Sequence, residues 1–291
     1  MSPGRTSPRR PATDPAPDPR PADPRLADPA AMAVVLMNGA VEVVGRLVQA
    51  SNATLLVEVS LDGLATRAVY KPVRGERPLW DFPHGTLADR EVATYLLCDA
   101  AGWDTVPLTV PRPDGPFGPG SVQLWVEETD GEPLVDVVEP TALGEGWLTV
   151  LEAESAAGDP LLLVHRDDPR LRRMALLDAV ANNADRKGGH VLRGPVGQVR
   201  GVDHGLTFNT DDKLRTVLWG WAGEPLQAGE RAELAHLADA LADGAPLSDM
   251  LERLLRLDEL DRTRERVAEL LDAGVMPEPS GGWPSIPWPA I

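Results

Sequence analysis

The sequence predicts an α+β fold in which a small antiparallel sheet is followed by a larger helical part. Between residues 40 and 126, apolar residues alternate with polar ones in short runs, which is typical of strands. Beyond residue 129, apolar residues recur at intervals of three and four, which is typical of helices packed against a core. The chain has 291 residues, 43% of them hydrophobic, and this is enough for two such parts.

The elements of the first part can be placed from its turns and breaks. Alternation over residues 41–47 and 55–59 predicts two strands, with a small polar stretch between them. Residues 67–71 predict a third strand that ends at Lys71, just before a proline. Residues 87–100 read as a helix that Gly102 ends, and short strands over 106–110 and 122–126 follow. These elements suggest an antiparallel sheet with one helix inserted between its strands.

The domain organisation follows from changes in composition. Residues 1–36 form a proline-rich tail that is expected to be disordered, because such a segment cannot bury apolar surface. Translation could begin at Met1, Met32 or Met37. Residues 37–276 form the folded domain, with the first part over about 37–128 and the helical part over about 129–276. Residues 277–291 form a second tail, rich in proline and tryptophan.

Composition also limits the partners. The net charge of −17 repels nucleic-acid phosphates and anionic lipid headgroups, so we expect no nucleic-acid partner. The single cysteine, Cys98, excludes a disulfide within the chain and fits a cytoplasmic location. No apolar run reaches the roughly 18 residues that a membrane-spanning helix needs, so stable membrane insertion is not expected.

Two carboxylates in the helical part have the spacing of a phosphoryl-transfer site. Asp185 lies in a short loop, where a carboxylate can orient a hydroxyl nucleophile, and Arg186 beside it could steady the loop or the transferred group. Asp203 follows 18 residues later, at the end of a short apolar strand and next to a histidine and a glycine. Asp203 is the predicted Mg²⁺ ligand, and His190, five residues after Asp185, occupies the place of a second metal ligand. This is the outline of a kinase catalytic loop and of the metal-binding turn that follows it.

The nucleotide phosphates need a cation from the first part of the chain. Lys71 is the candidate, and Glu91 on the following helix could pair with it, although Glu76 and Asp89 compete for that role. Ser51 and Asn52 lie in the turn between the first two strands. They could donate hydrogen bonds to the phosphates, or they could form an ordinary hairpin turn.

These motifs resemble the phosphatidylinositol 3- and 4-kinases, the type II 4-kinases most of all. The catalytic-loop sequence LDAVANNADR at 177–186 and the metal-binding stretch GVDHGLTF at 201–208 carry the resemblance. It is extended by the hinge-strand sequence GSVQLWVE at 120–127, by Lys71 with its proline, and by VPLT at 106–109. The chain is also similar to an uncharacterised actinobacterial branch of kinase-like proteins.

The resemblance implies a two-lobed protein-kinase-like fold of the PI3/PI4-kinase type, with a small antiparallel β N-lobe and a helical C-lobe. It implies ATP and Mg²⁺ (or Mn²⁺) as cofactors and transfer of the γ-phosphoryl group to a hydroxyl acceptor. Lys71 would then hold the phosphates, Asp185 would serve catalysis and Asp203 the metal. The adenine would be cradled by the hinge residues Gln123, Leu124, Trp125 and Val126.

Two departures and several alternatives remain at this stage. The family has asparagine where this chain has His190, and basic residues that hold an inositol phosphate are scarce after Gly205. The acceptor could be a protein, a small metabolite or an inositol lipid. A pseudokinase that binds nucleotide as a regulatory module, an adenylyltransferase on a kinase fold, and a purely structural scaffold are the competing hypotheses.

Overall fold

The computed structural model describes residues 28–47, 53–83, 85–282 and 284–291. The fold is mixed α+β with antiparallel sheets. The first part contains α1 (Pro29–Asn38), β1 (Ala40–Arg46), β2 (Leu55–Leu61), β3 (Leu64–Pro72), α2 (Leu87–Ala100), β4 (Thr109–Gly115) and β5 (Gly118–Leu124). The second part contains β6 (Val135–Val138), β7 (Trp147–Glu154), β8 (Pro160–Arg166), α3 (Pro169–Ala181), β9 (Val191–Arg193), β10 (Val199–Gly201), α4 (Ala228–Ala240), α5 (Pro246–Leu251) and α6 (Leu257–Ala273).

The first five strands form one antiparallel sheet in the order β1-β2-β3-β5-β4. Because side chains alternate along a strand, the sheet has two distinct faces. One face carries Val57, Ala68, Tyr70 and Val122, and it is buried with residues of α1. Lys71 follows Tyr70 and lies on the opposite face, which turns toward α2 and the second part of the chain.

The helix α1 was not foreseen, and it places the start of the ordered domain earlier than residue 37. Asp28 caps its first turn by accepting a hydrogen bond from the Ala30 N–H at 3.0 Å. Met32, Val35 and Leu36 are buried against the sheet, so residues 29–36 do bury apolar surface. The prediction of a disordered tail up to residue 36 was therefore wrong for these residues, and residues 1–27 lie outside the described part.

The sequence predicted a helical second part, but the structure shows that this part also contains strands. A three-stranded antiparallel sheet in the order β6-β8-β7 precedes α3. Its strand β8 contributes Leu162, Leu163 and Val164 to the interior, whereas β7 is largely exposed. A strand with little buried surface has a weak alternating pattern, and for this reason the sheet was missed.

The main core surrounds α3, which is buried on nearly every side. Leu171, Met174, Leu177 and Val180 are fully buried, as their helical spacing predicted. The loop that carries Asp185 follows directly, after Asn182 ends the helix in a left-handed conformation with φ of 51°. The core helix therefore fixes the position of this loop.

A buried arginine joins α2 to the second part. Arg90 is 1% exposed and donates to the Thr207 carbonyl oxygen and to the carboxylate of Glu259 on α6. Since α2 also carries Glu91, the contact sets the position of that carboxylate relative to the segment after Asp203. No helix in the described part of the chain combines the length and the apolar character that crossing a membrane would require.

Truncation of the core helix tests this packing. Leu177→Ala removes a fully buried side chain from α3 and should lower the free energy of unfolding by about 2–5 kcal/mol. Leu257→Ala at the start of α6, where the side chain is 64% exposed, should change it by less than about 0.5 kcal/mol. Denaturant unfolding followed by circular dichroism measures both, and equal losses would contradict the arrangement.

Candidate functional site

Lys71 connects the two parts of the chain at a cavity of about 260 Å³. Its ammonium contacts the carboxylate of Glu91 on α2 and lies 2.8 Å from Oδ1 of Asp203. Glu91 is therefore the partner that the sequence left open, whereas Glu76 accepts a hydrogen bond from the Ala88 N–H in the first turn of α2. Asp185 lines the same cavity.

Lys71, Glu91 and Asp203 shift one another's pKa values. Burial disfavours the charged ammonium, but Asp203 and Glu91 outweigh this and raise the pKa of Lys71 above its usual value. Lys71 in turn holds the pKa of Asp203 well below its usual range. Burial raises the pKa of Glu91, an effect that Lys71 opposes. Lys71 and Asp203 are thus charged at neutral pH, as phosphate and metal binding require.

Asp203 has a backbone conformation that few residues adopt. Its φ of 61° lies in the left-handed region, which aspartate tolerates better than most side chains. The strand β10 ends at Gly201, and the turn that follows directs the Asp203 carboxylate toward Lys71, with about half of the side chain still exposed. Strained backbone of this kind clusters at functional sites.

The loop of Asp185 is built by backbone hydrogen bonds and one asparagine. The side-chain oxygen of Asn183 accepts from the Asp185 N–H at 3.0 Å, and its amide donates to Asp178 at 2.9 Å. The Ala184 N–H donates to the Leu206 carbonyl at 2.8 Å, which ties this loop to the segment after Asp203. The two carboxylates are thereby held in one cavity.

Arg186 lies behind this loop rather than in the cavity. Its side chain is completely buried and pairs with Asp178 of α3, also completely buried, at 2.8 Å. It also donates to the carbonyl oxygens of Val202 at 3.0 Å and His190 at 3.3 Å. Of the two roles predicted for Arg186, these contacts fit the steadying of the loop, and they correct its assignment as a catalytic residue, because a guanidinium with these partners cannot reach a transferred group.

The two histidines near Asp203 differ in their surroundings. The Nε2 atom of His190 lies 3.4 Å from Oδ2 of Asp203, so the two residues predicted as metal ligands are neighbours. Burial lowers the pKa of His190, so its imidazole is neutral at pH 7. His204 is fully buried, with Nε2 2.6 Å from Nη2 of Arg186, and burial together with this positive charge lowers its pKa well below the usual value. His204 thus belongs to the support behind the loop.

The hinge residues predicted to cradle adenine do not line the Lys71 cavity. Gln123 is buried, and its side-chain amide donates to the Thr109 hydroxyl at 2.9 Å. Leu124, Trp125 and Val126 line a different cavity of about 550 Å³. Ser51 and Asn52 lie outside the described residues, although Ala53 and Thr54, which follow them, do line the Lys71 cavity.

Sequence reasoning missed two basic residues at this site. Lys187 Nζ lies 2.9 Å from Oδ2 of Asp185, and its side chain is 24% exposed. Its position two residues after the loop carboxylate was the available signal. Arg77 lines the cavity from the segment between β3 and α2, and no motif singled it out. Two basic residues, Lys71 and Arg77, therefore line the cavity, and Lys187 pairs with a carboxylate that lines it.

The chain was compared with known proteins. It matches no family model, so the resemblance to phosphatidylinositol kinases stays a prediction. Protein Rv2133c of Mycobacterium tuberculosis is 51% identical over 266 residues, which cover 88% of this chain and 94% of that protein. The chain belongs to the same family as Protein Rv2133c.

The buried pair behind the loop can be tested by its stability. Arg186→Met leaves Asp178 as an uncompensated buried charge and should lower the free energy of unfolding by about 3–5 kcal/mol. As a comparison, Arg170→Met on α3 breaks a partly exposed pair with Asp168. This variant should lower the free energy of unfolding by at most about 1 kcal/mol. Urea unfolding compares the two variants, and a stable Arg186→Met protein would refute the positioning role.

Proposed function

We propose that this protein is an ATP- and metal-dependent phosphotransferase that moves the γ-phosphoryl group of ATP to a hydroxyl acceptor. The observation that carries the proposal is the contact of Lys71 with both Glu91 and Asp203, in the cavity that also contains Asp185. Kinases use a strand lysine paired with a helix glutamate, a metal-binding aspartate and a loop aspartate for this reaction.

The topology supports a two-lobed kinase-like fold. The lysine lies on the third strand of a five-stranded antiparallel sheet, and its glutamate partner lies on the helix between the third and fourth strands. Asp185 and Asp203 both belong to the part that follows the sheet, on loops after α3 and β10. The cavity between the two parts is consequently the place for the phosphates of a nucleotide.

The donor set fits one divalent ion. Mg²⁺ is commonly bound by one or two carboxylates together with substrate phosphates, so the half-exposed Asp203 suits it. Within the described ranges there is no cluster of three or more histidine, cysteine, aspartate or glutamate side chains that would hold an ion by itself. When bound, the ion would neutralise charge on the nucleotide phosphates. His190 offers nitrogen, which Mn²⁺ accepts more readily than Mg²⁺.

Each charged residue then has one task. Lys71, held by Glu91, binds the phosphates and restrains ATP. Asp185 accepts a hydrogen bond from the acceptor hydroxyl and orients its oxygen toward the γ-phosphorus. As the new oxygen–phosphorus bond forms, the bond to the ADP oxygen breaks, and the hydroxyl proton leaves through Asp185. Lys187 next to Asp185 stabilises negative charge on the phosphoryl oxygens.

Two basic residues bear on the acceptor. Lys213 and Arg215 follow Asp203 in sequence and could have served an inositol phosphate headgroup. Lys213 instead donates to Asp81 at 3.0 Å and lies over the Trp80 ring, and Nε of Arg215 donates to the Ala184 carbonyl at 2.7 Å. These internal contacts favour a protein or small-metabolite hydroxyl over an inositol lipid.

A pseudokinase is the second candidate, and His190 is the observation that favours it. A histidine near Asp203 replaces the oxygen ligand that a second Mg²⁺ would need. Such a protein would bind nucleotide through Lys71 and Asp203 and transfer nothing.

Nucleotide binding is the first prediction of this proposal. A ligand that binds only the native state stabilises it by about 2.7 kcal/mol at a hundredfold excess over its Kd. Thermal unfolding should therefore show a higher Tm with ATP and Mg²⁺ or Mn²⁺, and the rise should require the metal. The rise should be lost in Lys71→Met and in Asp203→Asn.

The ligand-induced rise, rather than the Tm itself, is the quantity to compare, because Lys71→Met also leaves Glu91 buried without its cation. Arg67→Met, on the same strand with an exposed side chain, and Asp243→Asn, at a 91% exposed position, should retain the full rise. A wild-type protein whose Tm does not change at saturating ATP would exclude both the kinase and the pseudokinase.

Group transfer is the second prediction. Asp185→Asn should keep the ATP-induced rise in Tm but lower ADP release about 10²- to 10⁴-fold, because the acceptor oxygen is no longer oriented. Purified protein with ATP labelled at the γ- or the α-phosphate, offered protein and small-molecule hydroxyl fractions, measures the transfer. Transfer of the α-label identifies an adenylyltransferase, and binding without transfer of either label identifies a pseudokinase.

A further inference from the structure

A third cavity shares no lining residue with the cavity around Lys71. It lies between the C-terminal end of α3, residues 262–273 of α6 and the segment that follows α6. Its volume of about 500 Å³ falls within the range of roughly 300–1,000 Å³ typical of small-molecule sites. Much of its wall is apolar and is formed by Leu214, Trp219, Leu270, Val275 and Met276.

One cation in this cavity is deeply buried and poorly paired. The Arg266 side chain is 6% exposed, and its Nη2 donates to the Asn209 carbonyl. Its Nε and Nη1 atoms are buried and have no hydrogen-bond partner in the described part of the chain. The carboxylate of Asp212 lies 3.9 Å from Nε, beyond hydrogen-bond distance. Burial and the nearby Arg262 lower the pKa of Arg266 to about 10, as expected for a cation with too little counter-charge.

Leaving such donors unpaired is costly, and Arg266 is one of the residues that line the cavity. When a buried charged donor has no hydrogen-bond partner, nothing compensates the free energy lost by removing it from water. An anion in the cavity could accept from Arg266 while its apolar portion covers the wall. Apolar walls with a few polar groups that fix orientation are the usual design of a ligand site.

The rim of the cavity limits the charge of that anion. Arg262 is already bound by Asp212 at 3.0 Å and by Glu269 at 2.8 Å. Asp212, Glu269 and Glu278 also line the cavity, so three carboxylates surround the two guanidinium groups. Because these carboxylates outnumber the guanidinium groups, a ligand with several negative charges would be repelled more strongly than a ligand with one.

We propose that this cavity is a binding site for a small monocarboxylate with an apolar body, with Arg266 as the residue that pairs with its carboxylate. The site is separate from the proposed nucleotide cleft and does not depend on phosphotransferase activity. Asn182, which lines this cavity, donates to the Asn209 carbonyl at 2.9 Å, the same oxygen that accepts from Arg266.

Methionine methyl groups report on occupancy directly. The chain has six methionines, and Met276 is buried in the cavity wall, whereas Met250 on α5 is 42% exposed and does not line the cavity. In full-length protein with ¹³C-labelled methionine methyls, octanoate should shift the Met276 signal saturably and leave Met250 unchanged. Octan-1-ol and inorganic phosphate should bind at least about tenfold more weakly, since each lacks one half of the recognised ligand.

Two variants separate charge from volume. Arg266→Met should weaken octanoate binding at least about tenfold, because the paired cation is gone. Ala273→Phe should weaken it similarly by filling the cavity, with Arg266 intact. Arg264→Met is the matched control, since Arg264 lies on the same helix but does not line the cavity and binds Ser248 and Asp243 instead.

Several results would overturn the proposal. An unmoved Met276 signal at millimolar octanoate would do so, as would equal affinity for octan-1-ol. Wild-type affinity in both Arg266→Met and Ala273→Phe would do so as well. Because the readout is a chemical shift, failure here is distinguishable from failure of the phosphotransferase proposal, which is measured with ATP.

Discussion

The buried ion pair between Arg186 and Asp178 is the constraint on which the candidate site depends. Both side chains are buried, and removing each ion from water costs several kcal/mol. This cost is offset only when the pair has good geometry and its remaining donors form hydrogen bonds. Here the guanidinium also contacts the carbonyls of His190 and Val202 and the ring of His204. One side chain therefore joins the core helix α3, the loop of Asp185 and the turn of Asp203. These contacts hold the carboxylates of Asp185 and Asp203 in their relative position.

A second tie crosses between the two parts of the molecule. Lys71 belongs to the sheet, Glu91 to α2 and Asp203 to the second part, so the contacts of one ammonium join three elements. Arg90 reinforces the same junction by bonding the segment after Asp203 and α6. A lysine that is paired with two carboxylates is already oriented, and the entropy of positioning it is lost on folding rather than on ligand binding. Without a bound metal, Lys71 also supplies the positive charge that Asp203 needs.

The sequence was most informative where local patterns and chemistry agree. The helix α2 has the predicted bounds, and the spacing of Asp185, Asp203 and Lys71 indicated residues that share one cavity. Long-range consequences were harder to foresee. A short apolar segment such as Pro29–Asn38 becomes a helix because a sheet face far along the chain covers it, and the exposed strand β7 has too little alternation to be recognised. The sequence left two roles open for Arg186, and it could not choose between them because the choice depends on a buried pair with Asp178, eight residues earlier.

The distribution of basic residues narrows the chemistry further. The chain has a net charge of −17, so acidic side chains outnumber basic ones. Near the site, Arg186 is bound by a carboxylate and Arg215 by a carbonyl of the protein itself. Lys71 lines the cavity and contacts Asp203, and Lys187 pairs with Asp185, which also lines it. In the proposed function these two lysines hold the phosphates of one nucleotide, which leaves little positive charge for an acceptor that is itself highly phosphorylated. The net charge of the chain and the contacts of Lys213 and Arg215 thus favour the same choice of acceptor within the proposed function, which is a weakly charged hydroxyl compound or a protein side chain.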